Sequence, residues 1–181
     1  MTKYGVGPFD SWEDADTGER CLTDGLPLVP LQGYNMNYHI LQSPGWVVML
    51  NEMFHEYRLI PVDGRDHVPP HVGQMLGDAR GRWEGDTLVV DVDYFNGKNW
   101  FDRAGNFHSE ALRLEERFTP VTPDRIQYDV TIEDGNVFTR PWRISMPLYR
   151  RVEPNMQLLE YRCTEFAEEF NYGHLRKEPL V

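Results

Sequence analysis

What this chain lacks narrows it first. No stretch approaches the ~20 consecutive apolar residues of a membrane-crossing helix. Basic residues are scarce: 18 Lys and Arg stand against 29 Asp and Glu, a formal net charge of −11. Nucleic acids and anionic membranes are held through a basic footprint, so neither is an expected partner. The sequence has no Gly-x-Gly-x-x-Gly turn and no phosphate loop, the usual cradles of nucleotide cofactors. It has no Gly-x-Ser-x-Gly elbow, and Ser43, Ser109 and Ser145 lie in ordinary contexts, so a nucleophilic triad is not expected. Two cysteines cannot supply a four-thiolate zinc site. Cys21 and Cys163 read first as buried thiols. The alternative is a disulfide closing a loop of ~140 residues, contributing ~4–5 kcal/mol on the entropic account, in an oxidising compartment. No apolar leader follows Met1, so the expected location is cytoplasmic as written, or periplasmic or secreted if a signal peptide has been removed.

What is present describes one domain rich in strands. Aromatic content of 13% does not suit a disordered chain. Residues 1–34 are dense in Gly, Pro, Asp and Thr and read as an arm packed on the domain, with a helical turn near Ser11 to Ala15. Residues 35–181 read as a single barrel. Strands are expected over Asn37 to Gln42, Trp46 to Phe54 and Tyr57 to Val62, then in a hairpin from Gly81 to Tyr94 turning at Gly85-Asp86. Ala111 to Thr119, Ile126 to Ile132, Val137 to Leu148 and Leu158 to Phe166 follow, with Thr164 to Phe170 an alternative short helix. Many short strands with little helix define an all-β, antiparallel, lipocalin-like β-barrel. Its core should include Val48, Leu50, Val90, Val92, Leu112, Leu114, Tyr128 and Val130. Two long connections, Asp63 to Arg80 and Asn96 to Phe107, are expected at one end of the barrel, over its mouth.

Strand alternation also delivers polar groups inward. Trp46, Val48, Leu50, Glu52 and Phe54 would share a face. A carboxylate among large apolar side chains is unfavourable unless paired, hydrogen-bonded or protonated. His108 and Glu110 lead into Leu112, Leu114 and Phe118, and Glu160 follows Leu158. Glu52 and Arg58 are candidates for an ion pair between neighbouring strands. His67 and His71, flanking Val68-Pro69-Pro70, read as solvated loop histidines rather than metal ligands. Metal bound by His55, His108 and a glutamate is a lesser alternative.

The run Arg80-Gly81-Arg82-Trp83-Glu84-Gly85-Asp86-Thr87-Leu88-Val89-Val90-Asp91, with Asn106-Phe107-His108-Ser109-Glu110-Ala111-Leu112 and Phe138-Thr139-Arg140-Pro141-Trp142, resembles a large group of small proteins from soil and environmental bacteria. The resemblance covers most of the chain from about residue 20. Many of those proteins carry export signals, and the resemblance implies no particular chemistry. Gly81-Arg82-Trp83 is also similar to the Gly-x-Trp of lipocalin-like barrels.

These features lead to an expected function. A cofactor-independent lyase, dehydratase or isomerase would act by acid–base chemistry on a small apolar, cyclic or aromatic molecule in a hydrophobic cavity. Its catalytic candidates are Glu52, His55, Arg58, His108 and Glu110. Trp46, Tyr57, Trp100, Tyr128, Trp142 and Glu160 are the substrate-binding candidates. No metal and no cofactor is expected, and a homo-oligomer is compatible with the composition. The alternative is a non-catalytic barrel that binds or carries a similar ligand.

Overall fold

A computed structural model describes residues 17–23, 25–27, 35–101, 106–165 and 167. The expected turn of helix at Ser11 to Ala15 and most of Thr164 to Phe170 lie outside them. Among the described residues, eight strands form two antiparallel sheets. The first joins β1 (Tyr38–Ser43), β2 (Trp46–Asn51) and β3 (Tyr57–Pro61) in chain order. The second joins β4 (Asp78–Glu84), β5 (Thr87–Asp93), β6 (Arg113–Thr122), β7 (Arg125–Glu133) and β8 (Trp142–Tyr149), again in chain order. The all-β, antiparallel architecture with almost no helix is as the sequence indicates. The two sheets are not closed into a single cylinder; they share one core, to which both contribute.

That core comprises Val47, Met49 and Ile60 from the first sheet and Leu88, Val90, Val92, Leu114, Phe118, Tyr128, Val130 and Ile132 from the second, with Leu112 beside them. The sheets pack tightly at Gly81, where an added Cβ would stand 2.7 Å from Val62 Cγ1 and 2.9 Å from Ile60 Cγ2. Only glycine lets β4 approach β3 so closely. Gly85, with φ of 61°, makes the β4–β5 turn where expected.

Four expectations are corrected. β2 buries Val47 and Met49, whereas Val48 and Leu50 are only partly buried. The run Trp46-Val47-Val48-Met49-Leu50 is apolar on both faces, so alternation alone does not fix its phase, and a one-residue slip exchanges the faces. β8 begins at Trp142 rather than Val137, because Asp134 organises the preceding turn: its carbonyl accepts from the Val137 and Phe138 N–H groups. Residues 158–165 form no strand and run irregularly, the chain being held there by side chains of other elements and by a disulfide between Cys163 and Cys21. The two cysteines are therefore not free thiols.

The topology makes the two ends of the larger sheet unlike. Tight turns close one end, between β4 and β5 and between β6 and β7. The opposite end carries the connections into β4, between β5 and β6, and between β7 and β8. The first two of these meet there, as expected: Gln74 N–H donates to the Tyr94 carbonyl and Asn96 N–H to the Gln74 carbonyl, both at 2.9 Å.

Candidate functional site

Three strands aim polar groups at the core, and they meet. Arg58 alternates with Ile60 on β3, Glu116 with Leu114 and Phe118 on β6, and Tyr128 with Val130 on β7. The Arg58 guanidinium engages both oxygens of Glu116, at 2.5 and 3.2 Å, and the Tyr128 hydroxyl donates to Glu116 Oε1 at 2.8 Å. Glu116 and Tyr128 are wholly buried and Arg58 nearly so. Burial alone would lower the Arg58 pKa, but the Glu116 charge and hydrogen bonds outweigh it and hold the group above its ordinary value. A two-pronged bond of this kind is the strongest pairing available to a guanidinium. It also occupies the fork that would otherwise clamp a substrate anion. The expected Glu52–Arg58 pair is not made; Glu116 takes that place and ties the sheets together.

Glu52 is buried, at 1% exposure, but not as a strand residue. β2 ends at Asn51, and Glu52 opens a 3-10 turn, Met53–His55, in which Phe54 and His55 both have positive φ. Its carboxylate accepts from the side-chain amides of Asn35 (3.3 Å) and Asn37 and from the Leu159 N–H (3.1 Å). Burial would raise its pKa, yet these neutral donors hold it below the usual carboxylate value. So held, Glu52 stays ionised and is a weak acid–base candidate; what it does is fasten residues 35–37 and the segment at 159 to the end of β2. His55 is exposed and its Nε2 accepts from the Tyr161 N–H at 3.2 Å, while Phe54 meets the Tyr161 ring edge-on at 5.2 Å. Glu160 is exposed and paired with Arg162, so it is no core charge.

His108 is buried between Phe95 and Phe101, with ring centroids 5.4 and 5.2 Å away. Its Nε2 faces Asn99 Oδ1 at 3.1 Å and its Nδ1 the Ser109 carbonyl at 3.0 Å. Burial pushes its pKa down, only partly opposed by that carbonyl and by Asp134. Asp134 in turn accepts from the Ser109 N–H and hydroxyl, at 2.6 and 2.8 Å. Glu110 is exposed, two residues from His108 but outside this cluster.

The aromatic candidates do not converge either. Tyr57 is exposed. Trp46 lies under the Arg65 guanidinium, 4.5 Å from its ring centroid. Trp100 is half-buried and bridges to Phe107. Trp142 edges a cluster with Phe101 and Phe138. Of the expected set, Arg58 and Tyr128 share Glu116 through hydrogen bonds, and His108 and Trp142 share Phe101 through ring contacts.

A different group has the geometry of a proton-transfer pair. His67, on the segment leading to β4, places Nδ1 2.8 Å from Asp78 Oδ2. The same oxygen accepts the Val68 N–H at 3.1 Å, and Asp78 Oδ1 accepts from Arg80 at 2.7 Å. Arg80 also donates to the Asp66 carbonyl at 2.8 Å, pinning the backbone beside the histidine. Asp78 is buried; His67 keeps a quarter of its side chain exposed. A histidine facing a carboxylate at Nδ1 donates its proton there, which leaves the Nε2 lone pair free. Nε2 has no hydrogen-bond partner among the described residues. The Tyr94 ring stands edge-on to the imidazole at 5.6 Å. The sequence offers one signal for Asp78, an acid alternating with Arg80 at the head of a strand, and none for its pairing with His67.

Among the described residues no three of His, Cys, Asp and Glu gather as a metal site would require, and no helix is long and apolar enough to cross a membrane. Comparison with protein-family models, with curated proteins and with solved structures found no match.

Proposed function

We propose that this protein is an acid–base enzyme, a lyase, dehydratase or isomerase needing no cofactor, acting on a small apolar ring molecule. In this reading His67, not Glu52 or His55, carries the proton. The observation behind it is the alignment of His67 on buried Asp78, with Nε2 unpartnered among the described residues. Nε2 takes a proton from substrate carbon or hydroxyl, Asp78 steadies the resulting imidazolium through Nδ1–H, and the proton returns to the product or leaves to water. Arg80 and the Val68 N–H position Asp78 rather than touch substrate. Assistance of this kind is worth about 10²–10⁴-fold.

The test incubates the protein in heavy water with a panel of small cyclic ketones and follows exchange of the α-hydrogens by proton NMR. Catalysed exchange with at least one ketone is expected, lost in His67→Gln and reduced in Asp78→Asn, while Glu52→Gln retains it. Absence of exchange across the panel, or its survival in His67→Gln, overturns the reading. The Cys21–Cys163 disulfide supports an oxidising compartment, periplasmic or extracellular, as the working location. Thiol alkylation of protein taken directly from the producing cell, read by mass, checks this: alkylated cysteines would contradict it.

A further inference from the structure

Four strands edge the two sheets, and three of them are guarded. β4 carries Asp78, Arg80, Arg82 and Glu84. β8 carries Arg143 and Pro147. β3 ends at Pro61 and has β4 packed closely beside it at Gly81. Among the described residues β1 has no such protection. Its sequence, Tyr38-His39-Ile40-Leu41-Gln42-Ser43, holds no Lys, Arg, Asp, Glu or Pro, and five of its six residues are exposed. Its pairing with β2 runs unbroken from Tyr38↔Asn51 to Ser43↔Trp46, so no bulge turns the edge aside. Charges, prolines, bulges and covering segments are the means by which soluble proteins keep a free edge from pairing.

The outer face behind this edge is apolar. Cross-strand rows Leu41–Val48–Leu59 and His39–Leu50–Tyr57 span all three strands, with Leu41, Leu59 and Tyr57 exposed. The one formally charged residue in the three strands is Arg58, and it faces inward. In a chain of net charge −11, this is a region where a second copy approaches without like-charge contact. We propose that the protein forms a two-fold homodimer in which β1 pairs antiparallel with β1 of a second copy, extending two three-stranded sheets into one of six. A strand related to its partner by a two-fold axis pairs with its own sequence reversed, so one uncharged strand satisfies both sides of the interface. Charge complementarity thus favours an identical copy over an acidic or basic partner.

Sedimentation velocity on the full, disulfide-intact chain across a concentration series tests this. A reversible dimer is expected, and Leu41→Lys on the edge should weaken it by roughly tenfold or more. Leu59→Lys, on the same face but two strands away, should leave it within a few-fold of wild type. Leu41 and Leu59 are both exposed, so both variants are expected to keep the wild-type far-UV circular dichroism spectrum. Independently, the wild type's amide hydrogens at residues 39–43 should exchange more slowly as protein concentration rises. A wild type that remains monomeric at ~100 μM overturns the proposal. So does a dimer that Leu59→Lys disrupts as much as Leu41→Lys, which would mean face-to-face packing, or exchange at 39–43 indifferent to concentration.

Discussion

Glu115, Glu116 and Arg117 are consecutive on β6, yet they belong to two different electrostatic regions. Glu116 faces the core and meets Arg58 and Tyr128, all three buried from solvent. Glu115 and Arg117 face outward into a lattice with Arg82, Glu84 and Asp91. The lattice has more members: Arg82 bonds Glu84 at 3.1 Å, Asp91, and Glu115 at 3.4 Å, while Arg117 bonds Glu84 at 2.6 Å. It surrounds Val89, which is fully buried between its cross-strand neighbours Arg82 and Arg117. All five charged groups of the lattice are about a third or more exposed. Water and salt screen such pairs, whereas nothing screens Arg58 and Glu116. The number of ion pairs and their weight in the fold therefore run in opposite directions here.

The largest expected effect comes from breaking the interior pair. Glu116→Ala leaves the Arg58 guanidinium buried without a counter-charge and should reduce unfolding free energy by about 3–5 kcal/mol. Removing the whole polar set, as Arg58→Met, Glu116→Leu and Tyr128→Phe together, should recover most of that loss, because apolar groups of similar size need no partners there. Urea unfolding of the single and triple variants checks both statements. If Glu116→Ala is no more harmful than an outer-face substitution, the contrast between the two regions fails.

The ease of reading these regions from sequence differs as well. Alternation through Leu112, Leu114 and Phe118 puts Glu116 on the core face as directly as it puts Leu114 there, but its partner Arg58 lies 58 residues earlier and no local pattern connects them. The burial of Glu52 was legible, though not its cause. The extended run ends at Asn51, and three donors distant in sequence, not strand phase, draw the carboxylate inward. The hairpin over β4 and β5 was clear because Gly85-Asp86 fixes its turn and β5 alternates cleanly in Leu88, Val90 and Val92. The phase of β2 was not, because both of its faces are apolar. His67 reads as a solvated loop residue because Pro69 and Pro70 follow it closely and disfavour a helix; only the return of the chain at Asp78 supplies the carboxylate that orients it.

Glu52 sharpens the comparison, being a buried carboxylate held by neutral donors with no cation. Glu52→Gln presents an amide donor to groups that are themselves donors, and should lower stability by about 1–3 kcal/mol at neutral pH. The folded-state pKa of Glu52 lies below its unfolded value, so its contribution is complete above the ordinary carboxylate pKa and disappears as pH falls through the folded value. The gap between wild type and Glu52→Gln should accordingly narrow on acidification. A gap that stays constant down to pH 3 in urea titrations would show that the charge is not what matters.

His108 tests the interior from the other sign of charge. Its folded-state pKa is lowered mainly by burial, so the unfolded chain takes up the proton first. Stability from this group is whole above the ordinary histidine pKa and declines as pH drops below it toward the folded value, by at most ~1.4 kcal/mol per pH unit. His108→Leu should be less stable than wild type at pH 7 and respond less steeply between pH 7 and 5. Equal slopes for the two proteins would remove His108 from the account of acid sensitivity.

The smallest effect is expected on the outer face, where redundancy adds to screening. Glu84 carries a pKa below the usual carboxylate value, chiefly through its hydrogen bond from Arg117 and then from Arg82, yet both cations retain other partners when it is changed. After Glu84→Gln, Arg117 still has Glu115 at 3.6 Å and Arg82 still has Asp91 and Glu115. No buried charge is stranded, so the penalty that makes Glu116 decisive has no counterpart. The expected result is a small loss of thermal stability at low ionic strength that disappears in ~1 M salt, where the Debye length falls to about 3 Å. The same salt should leave the loss from Glu116→Ala unchanged, because ions do not enter the sheet interface. A Glu84→Gln effect that persists in high salt would mean that the lattice over Val89 acts as a rigid unit, and the difference between the faces of β6 would then be one of degree.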